Sequence, residues 1–111
     1  MRVYQIVRDT LVFDYSNVTV YIKPTEYPNV AEIHVSAHVE KFDVSTFYSW
    51  LQGFESLKKT LNKEYGYKLL ISYVPSTSKK VIKFWKMFGL DIREIDTEQG
   101  DVAYCYIYLE D

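Results

Sequence analysis

Cysteine is nearly absent from this chain. Cys105 stands alone, so no internal disulfide can form and no thiolate-rich metal site exists. A single thiol fits a reducing compartment. Glycine and proline are scarce, at four and three, which predicts short loops and a chain held mostly in regular elements. No apolar run approaches the ~20 residues of a membrane-spanning helix. The opening residues, Met1-Arg2-Val3-Tyr4-Gln5, lack the apolar stretch of a secretory signal. The expectation is a cytoplasmic protein with no membrane partner. Arginine is limited to Arg2, Arg8 and Arg93, and the net charge is −2. That leaves no cationic footprint for a nucleic-acid backbone, and it is too weakly acidic to imitate one.

What the chain has in excess is tyrosine, at eleven residues. Tyrosine joins an apolar body to a polar tip and suits half-buried sheet faces and interfaces. With 48% hydrophobic and 25% charged residues over 111 positions, the composition is that of a folded chain rather than a disordered one. The length predicts one domain, residues 1–111, able to bury a core without staples.

Hydrophobic spacing divides the chain. Residues 2–8 and 10–14 are rich in β-branched and aromatic side chains, and Tyr15-Ser16-Asn17 is a turn signal. Residues 17–23 alternate, with Val18, Val20 and Ile22 facing one way and Thr19, Tyr21 and Lys23 the other. After a loop holding Pro24 and Pro28, residues 30–40 alternate again. Ile33, Val35, Ala37 and Val39 share one face, and Glu32, His34, Ser36, His38 and Glu40 the other. One apolar and one polar face is the antiparallel pattern.

The period then lengthens to 3.6. Asp43 or Ser45 is placed to cap a helix, whose stripe is Phe47, Trp50, Leu51, Phe54, Leu57, Leu61 and Tyr65 and whose end is Gly66. Gln52, Glu55, Lys58, Lys59, Asn62 and Lys63 fall on its outer face. Residues 68–74 are continuously apolar and predict a central strand. A second helix over residues 79–88 buries Val81, Ile82, Trp85 and Phe88 and turns Lys79, Lys80, Lys83 and Lys86 outward. Residues 90–95 and 102–109 predict a closing hairpin, with Ala103, Cys105, Ile107 and Leu109 on one side and Tyr104, Tyr106 and Tyr108 on the other. The fold class expected is α/β (α+β): a mostly antiparallel mixed sheet with two main helices, in β-β-β-α-β-α-β-β order. Should both helices cover one face, the other keeps Tyr21, His34, His38 and the Tyr104, Tyr106, Tyr108 row bare, as a partner surface.

Residues 30–109 resemble the core of the GNAT acyltransferase fold, and most resemble short, divergent members encoded by tailed phages. The most specific match is residues 73–90. There Val81-Ile82 stands for an apolar pair, Trp85 for an aromatic and Gly89-Leu90 for a Gly-Phe. The resemblance implies acetyl-CoA as cofactor, with Val39, Lys41, Ser45 and Ser78 at the positions that would touch it. It also exposes departures. The family's Gly-rich phosphate turn corresponds to Val39-Glu40-Lys41-Phe42-Asp43-Val44-Ser45-Thr46, which has no glycine and brings Glu40 and Asp43 to the anion position. Ser78 replaces an Asn. Trp85 replaces the Tyr that protonates the leaving thiolate, work an indole cannot do. The family's N-terminal pair of helices has no counterpart in residues 1–29.

These departures argue against ordinary acetyl transfer. The leading expectation is a catalytically degenerate GNAT-like module, a viral accessory protein of the host cytoplasm. It would use no cofactor and would bind a protein, or a second copy of itself, through Tyr21, His34, His38, Tyr104, Tyr106 and Tyr108. The alternative is a divergent N-acyltransferase using acetyl-CoA, with the parting of strands 30–40 and 68–74 as its pantetheine slot and Glu32 or His34 as base. A single-stranded nucleic-acid platform of stacked tyrosines is a third reading, opposed by the acidic balance. No metal site is expected, because His34 and His38 on one strand stand ~13 Å apart. Cys105 is expected to be an inert core thiol.

Overall fold

In the computed structural model, residues 2–7, 10–15, 17–37, 43–98 and 100–109 are described. The alternating segments form strands β1 (Arg2–Val7), β2 (Thr10–Tyr15), β3 (Val18–Pro24) and β4 (Val30–Ala37). Helix α1 (Val44–Tyr65), strand β5 (Leu69–Pro75), helix α2 (Lys79–Met87) and strands β6 (Asp91–Thr97) and β7 (Gly100–Tyr108) follow. The expected order holds with one addition: four strands precede α1, because β1 and β2 pair antiparallel as separate strands. Asn17, at φ 65°, turns the chain from β2 into β3, a conformation that Asn tolerates better than most residues.

All seven strands form one sheet in the order β1-β2-β3-β4-β5-β7-β6. Every neighbouring pair is antiparallel except β4 and β5. Because β6 and β5 each run antiparallel to β7, they run parallel to each other. The links β4–α1–β5 and β5–α2–β6 are therefore parallel crossovers stepping the same way across the sheet. The right-handed rule sends both helices to the same face. There Leu11, Phe13, Val20, Ile22, Ile33, Leu70 and Cys105 pack against Trp50, Phe54, Leu57 and Leu61 of α1 and Trp85 of α2. Edge-on ring contacts join the two helices, Trp50 to Phe84 at 6.2 Å and Phe54 to Phe88 at 5.9 Å between centroids.

Four side chains depart from the sequence pattern. Asn62, assigned to the outer face of α1, is buried, because the chain turning back after the helix covers it: its Nδ2 donates to the carbonyl of Tyr67 at 2.9 Å. Tyr65, at the margin of the stripe in the last turn, is exposed. Val81 is exposed on α2, and half-buried Phe84 takes up the packing. Ala37 is exposed at the end of β4, where the sheet has opened beside it. Gly66 ends α1 at φ 75°, the left-handed conformation expected of it. No helix among the described residues is long and apolar enough to cross a membrane.

Asp43 caps α1, its Oδ1 accepting the Thr46 N–H at 2.8 Å. That backbone bond chiefly holds its carboxyl below the ordinary 3.8. A depressed folded value means that the cap stabilises fully above the unfolded value and is lost as pH falls through the folded one. Asp43→Asn keeps a cap without a titrating group. The stability difference between wild type and this variant is expected to be constant above about pH 5 and to decay in more acidic solution, as read by urea unfolding across that range. A difference that instead grows with acidity would contradict the assignment.

Candidate functional site at the parting of two strands

β4 and β5 share only three register pairs, Val30 with Leu69, Ala31 with Leu70 and Glu32 with Ile71. Beyond them each strand follows its antiparallel neighbour. β4 stays with β3 as far as Ala37, and β5 stays with β7 as far as Pro75. Two strands held by different partners diverge, and the edges they turn toward each other carry no ladder bonds. The opening is a slot of about 340 Å³. His34, Val35 and Ala37 form one wall and Ser72, Tyr73 and Val74 the other, while Lys80, Val81, Phe84 and Trp85 of α2 close its floor.

At the fork, Nε2 of His34 lies 3.0 Å from Oε1 of Glu32. The two residues are two apart on β4 and so share its helix-free face. A carboxylate that orients an imidazole, leaving the other ring nitrogen for a ligand, is the arrangement of an oriented base. The sequence offered Glu32 and His34 as alternatives, and the structure brings them together. His38 of the expected partner surface, Glu40 of the expected anion position, and the cofactor candidates Val39 and Lys41 lie outside the described residues.

The helix-free face continues from the slot in both directions. Tyr21 is the cross-strand partner of His34, and Tyr73 that of Tyr104, whose other partner is Arg93. Ring centroids are 5.2 Å apart for Tyr73 and Tyr104, 5.1 Å for the stacked Tyr104 and Tyr106, and 6.2 Å for Tyr106 and Tyr108. Tyr73 and Tyr108 are more than half exposed, at 52% and 66%. Burial, and then the neighbouring phenols Tyr73, Tyr108 and Tyr106, hold the Tyr104 phenol above the ordinary 10.0, with Arg93 opposing them. It therefore stays protonated and able to donate at neutral pH. Tyr73 had no place in the sequence-based site, because its alternation is hidden in the continuous apolar run of β5. Its register opposite Tyr104 is what reveals it.

The remaining expectations sort by position. Ser45 is exposed in the first turn of α1, where the Asp43 carboxylate already takes an amide that a phosphate would need. Ser78 stands at the N-cap of α2 without a side-chain cap bond. The next turn carries lysines and no acidic residue, and Lys80 lines the floor of the slot. Cys105 is fully buried on the core face, and burial pushes its thiol above the ordinary 9.0, in keeping with an inert core residue. Among the described residues no group of three or more metal-ligating side chains occurs.

No family model matches the sequence, and no curated protein is detectably similar to it. Solved structures are similar. A GNAT-family acetyltransferase from Bacillus anthracis superposes at a TM-score of 0.62 with 13% identity, covering 85% of this chain and 59% of that one. A putative acetyltransferase from Salmonella typhimurium with its cofactor acetyl-CoA gives 0.61 at 10% identity, over 86% and 59%. The Campylobacter jejuni N-acetyltransferase PseH in complex with acetyl coenzyme A gives 0.59 at 13%, over 95% and 64%. At such identities the likeness shows the fold: the chain has the GNAT fold. It spans only 59% to 64% of the length of these structures.

Proposed function

We propose that this chain binds a coenzyme A thioester in the slot between β4 and β5 and transfers its acyl group to an amine. The observation that carries the reading is the slot itself. Among the described residues its facing strand edges share no register pair beyond Glu32 and Ile71, so an extended ligand with amide groups can hydrogen-bond to them as an added strand does. The likeness to acetyltransferase structures that contain acetyl-CoA supports the same ligand. Lys80, which lines the slot from α2, supplies positive charge for the phosphates.

The chemistry follows from the two lips. His34, oriented by Glu32, takes a proton from the incoming ammonium group. The freed amine nitrogen attacks the thioester carbonyl carbon. The C–N bond forms and the C–S bond breaks, the new amide nitrogen gives up its second proton to solvent, and the leaving sulfur takes one. Trp85 has none to give, but Tyr73 brings a phenol to the opposite wall, close enough to the slot to serve as that donor. Calorimetric titration with acetyl-CoA is expected to show saturable micromolar binding. Thiol release on addition of an amine is expected to fall about 10²- to 10⁴-fold in His34→Ala, the usual contribution of a positioned base. Absence of heat at millimolar ligand would overturn the proposal.

The uncovered ladder Tyr73–Tyr104–Tyr106–Tyr108 favours a second reading, a module that binds a protein or a second copy of itself on this face, as a phage or other viral accessory protein would. The titration separates the two: a chain without thioester affinity keeps only the second.

A further inference from the structure

Beneath the slot, between the sheet and both helices, lies an apolar void of about 40 Å³. Of the eleven described residues that line it, nine are buried, and the two half-buried ones are Val35 and Phe84. Both also line the slot, as does Trp85. These three residues form a wall common to the two spaces. Apart from two indoles its lining side chains are aliphatic or aromatic, so a water inside would lack the two to four polar partners it needs. Trp50, Gly53, Phe54 and Leu57 all line the void, and their spacing sets them on one face of α1. Gly53 alone brings no side chain.

We infer that the acyl group this chain prefers is longer than acetyl, with its tail entering the void past Val35 and Phe84. This deepens the thioester reading and rests on it. A water-sized group takes ~10–15 Å³ on this measure, so the void admits about three methylene-sized groups beyond the acetyl methyl. That points to straight acyl chains of about four or five carbons.

The test is a titration of the whole chain with acetyl-, butyryl-, hexanoyl- and octanoyl-CoA, repeated with S-acyl pantetheines that lack the nucleotide. Each methylene buried at ~0.8 kcal/mol tightens binding about fourfold, so butyryl-CoA is expected to bind about 15-fold more tightly than acetyl-CoA. The gain should stop by octanoyl, and the pantetheines should keep the same ratios. Gly53→Ala, which narrows the void from α1, should remove about fourfold of the butyryl advantage. Val20→Ile, which narrows it from the sheet, should do the same and serves if the first variant folds poorly. Affinity that is flat or falling from acetyl to butyryl, in a chain that binds acetyl-CoA, overturns the chain-length inference and leaves acyl transfer standing. Failure of every thioester to bind overturns both.

Discussion

Leu57→Ala is expected to lower the free energy of unfolding by about 3–5 kcal/mol, in the upper part of the range for buried leucines. Leu57 is 1% exposed and is part of the core between α1 and the sheet. It also walls the void of about 40 Å³ beneath the slot. Removing its side chain would join new empty volume to old, and the cost of truncation rises with the residual cavity by ~24 cal/mol per Å³. The surroundings are poorly placed to relax into the gap, because Trp50, Phe54 and Phe88 are already locked in ring contacts with α2 or within it. Denaturant unfolding followed by tryptophan fluorescence reads the loss, with Val81→Ala, at an exposed position, as a control expected to change stability by less than about 0.5 kcal/mol. A loss below about 2 kcal/mol for Leu57→Ala would mean that α1 settles onto the sheet, and that the void is not a fixed feature of the core.

Ala37→Trp is expected to weaken acetyl-CoA binding at least 100-fold while leaving stability within about 0.5 kcal/mol. Ala37 ends β4, is exposed, and lines the slot. An indole there would lie over unpaired strand edges and fill the space an extended ligand needs, without entering the core. The displaced interaction is a row of main-chain hydrogen bonds, each worth ~0.5–1.5 kcal/mol net, so losing two or three accounts for a hundredfold change. Unchanged affinity in a folded variant would move the ligand elsewhere. The groove between α2 and β6, where Lys79, Lys83 and Lys86 gather, would then be the place to look, and the slot would lose its role.

Much of the fold is legible in the sequence because its signals are local. Alternation marks Val18, Val20 and Ile22 as inward on β3, and they are buried. The shift to a 3.6 period, the Asp43 cap and the left-handed Gly66 bound α1 within a residue of expectation. The alternating Tyr row of β7 lies on the helix-free face, as its pattern implied. The site is less legible because it arises from pairing between distant segments. The parting of residues 30–40 from 68–74 is expected from the family resemblance alone; no local pattern in either segment says that they pair for three residues and then separate. Tyr73 reads as one apolar residue among several until its register against Tyr104 is known. Val81 and Ala37 look like core residues, and each is exposed because it borders an opening that spacing alone cannot reveal. Asn62 reads as solvent-facing until the chain doubles back at Tyr67 to cover it.

The short parallel ladder between β4 and β5 also has a mechanical meaning. Three register pairs join a four-stranded panel, β1 to β4, to a three-stranded one, β5 to β7. The width of the gap between the panels is therefore governed less by main-chain bonds than by the two helices clasped across the back, through Phe84 and Trp85 at the gap's floor. The architecture is that of two plates joined along one short seam, with an aromatic clasp behind it. Any guest long enough to bond to both plates would splint the joint, so that the amides along the gap, bare in the empty protein, would become among the slowest to exchange with solvent.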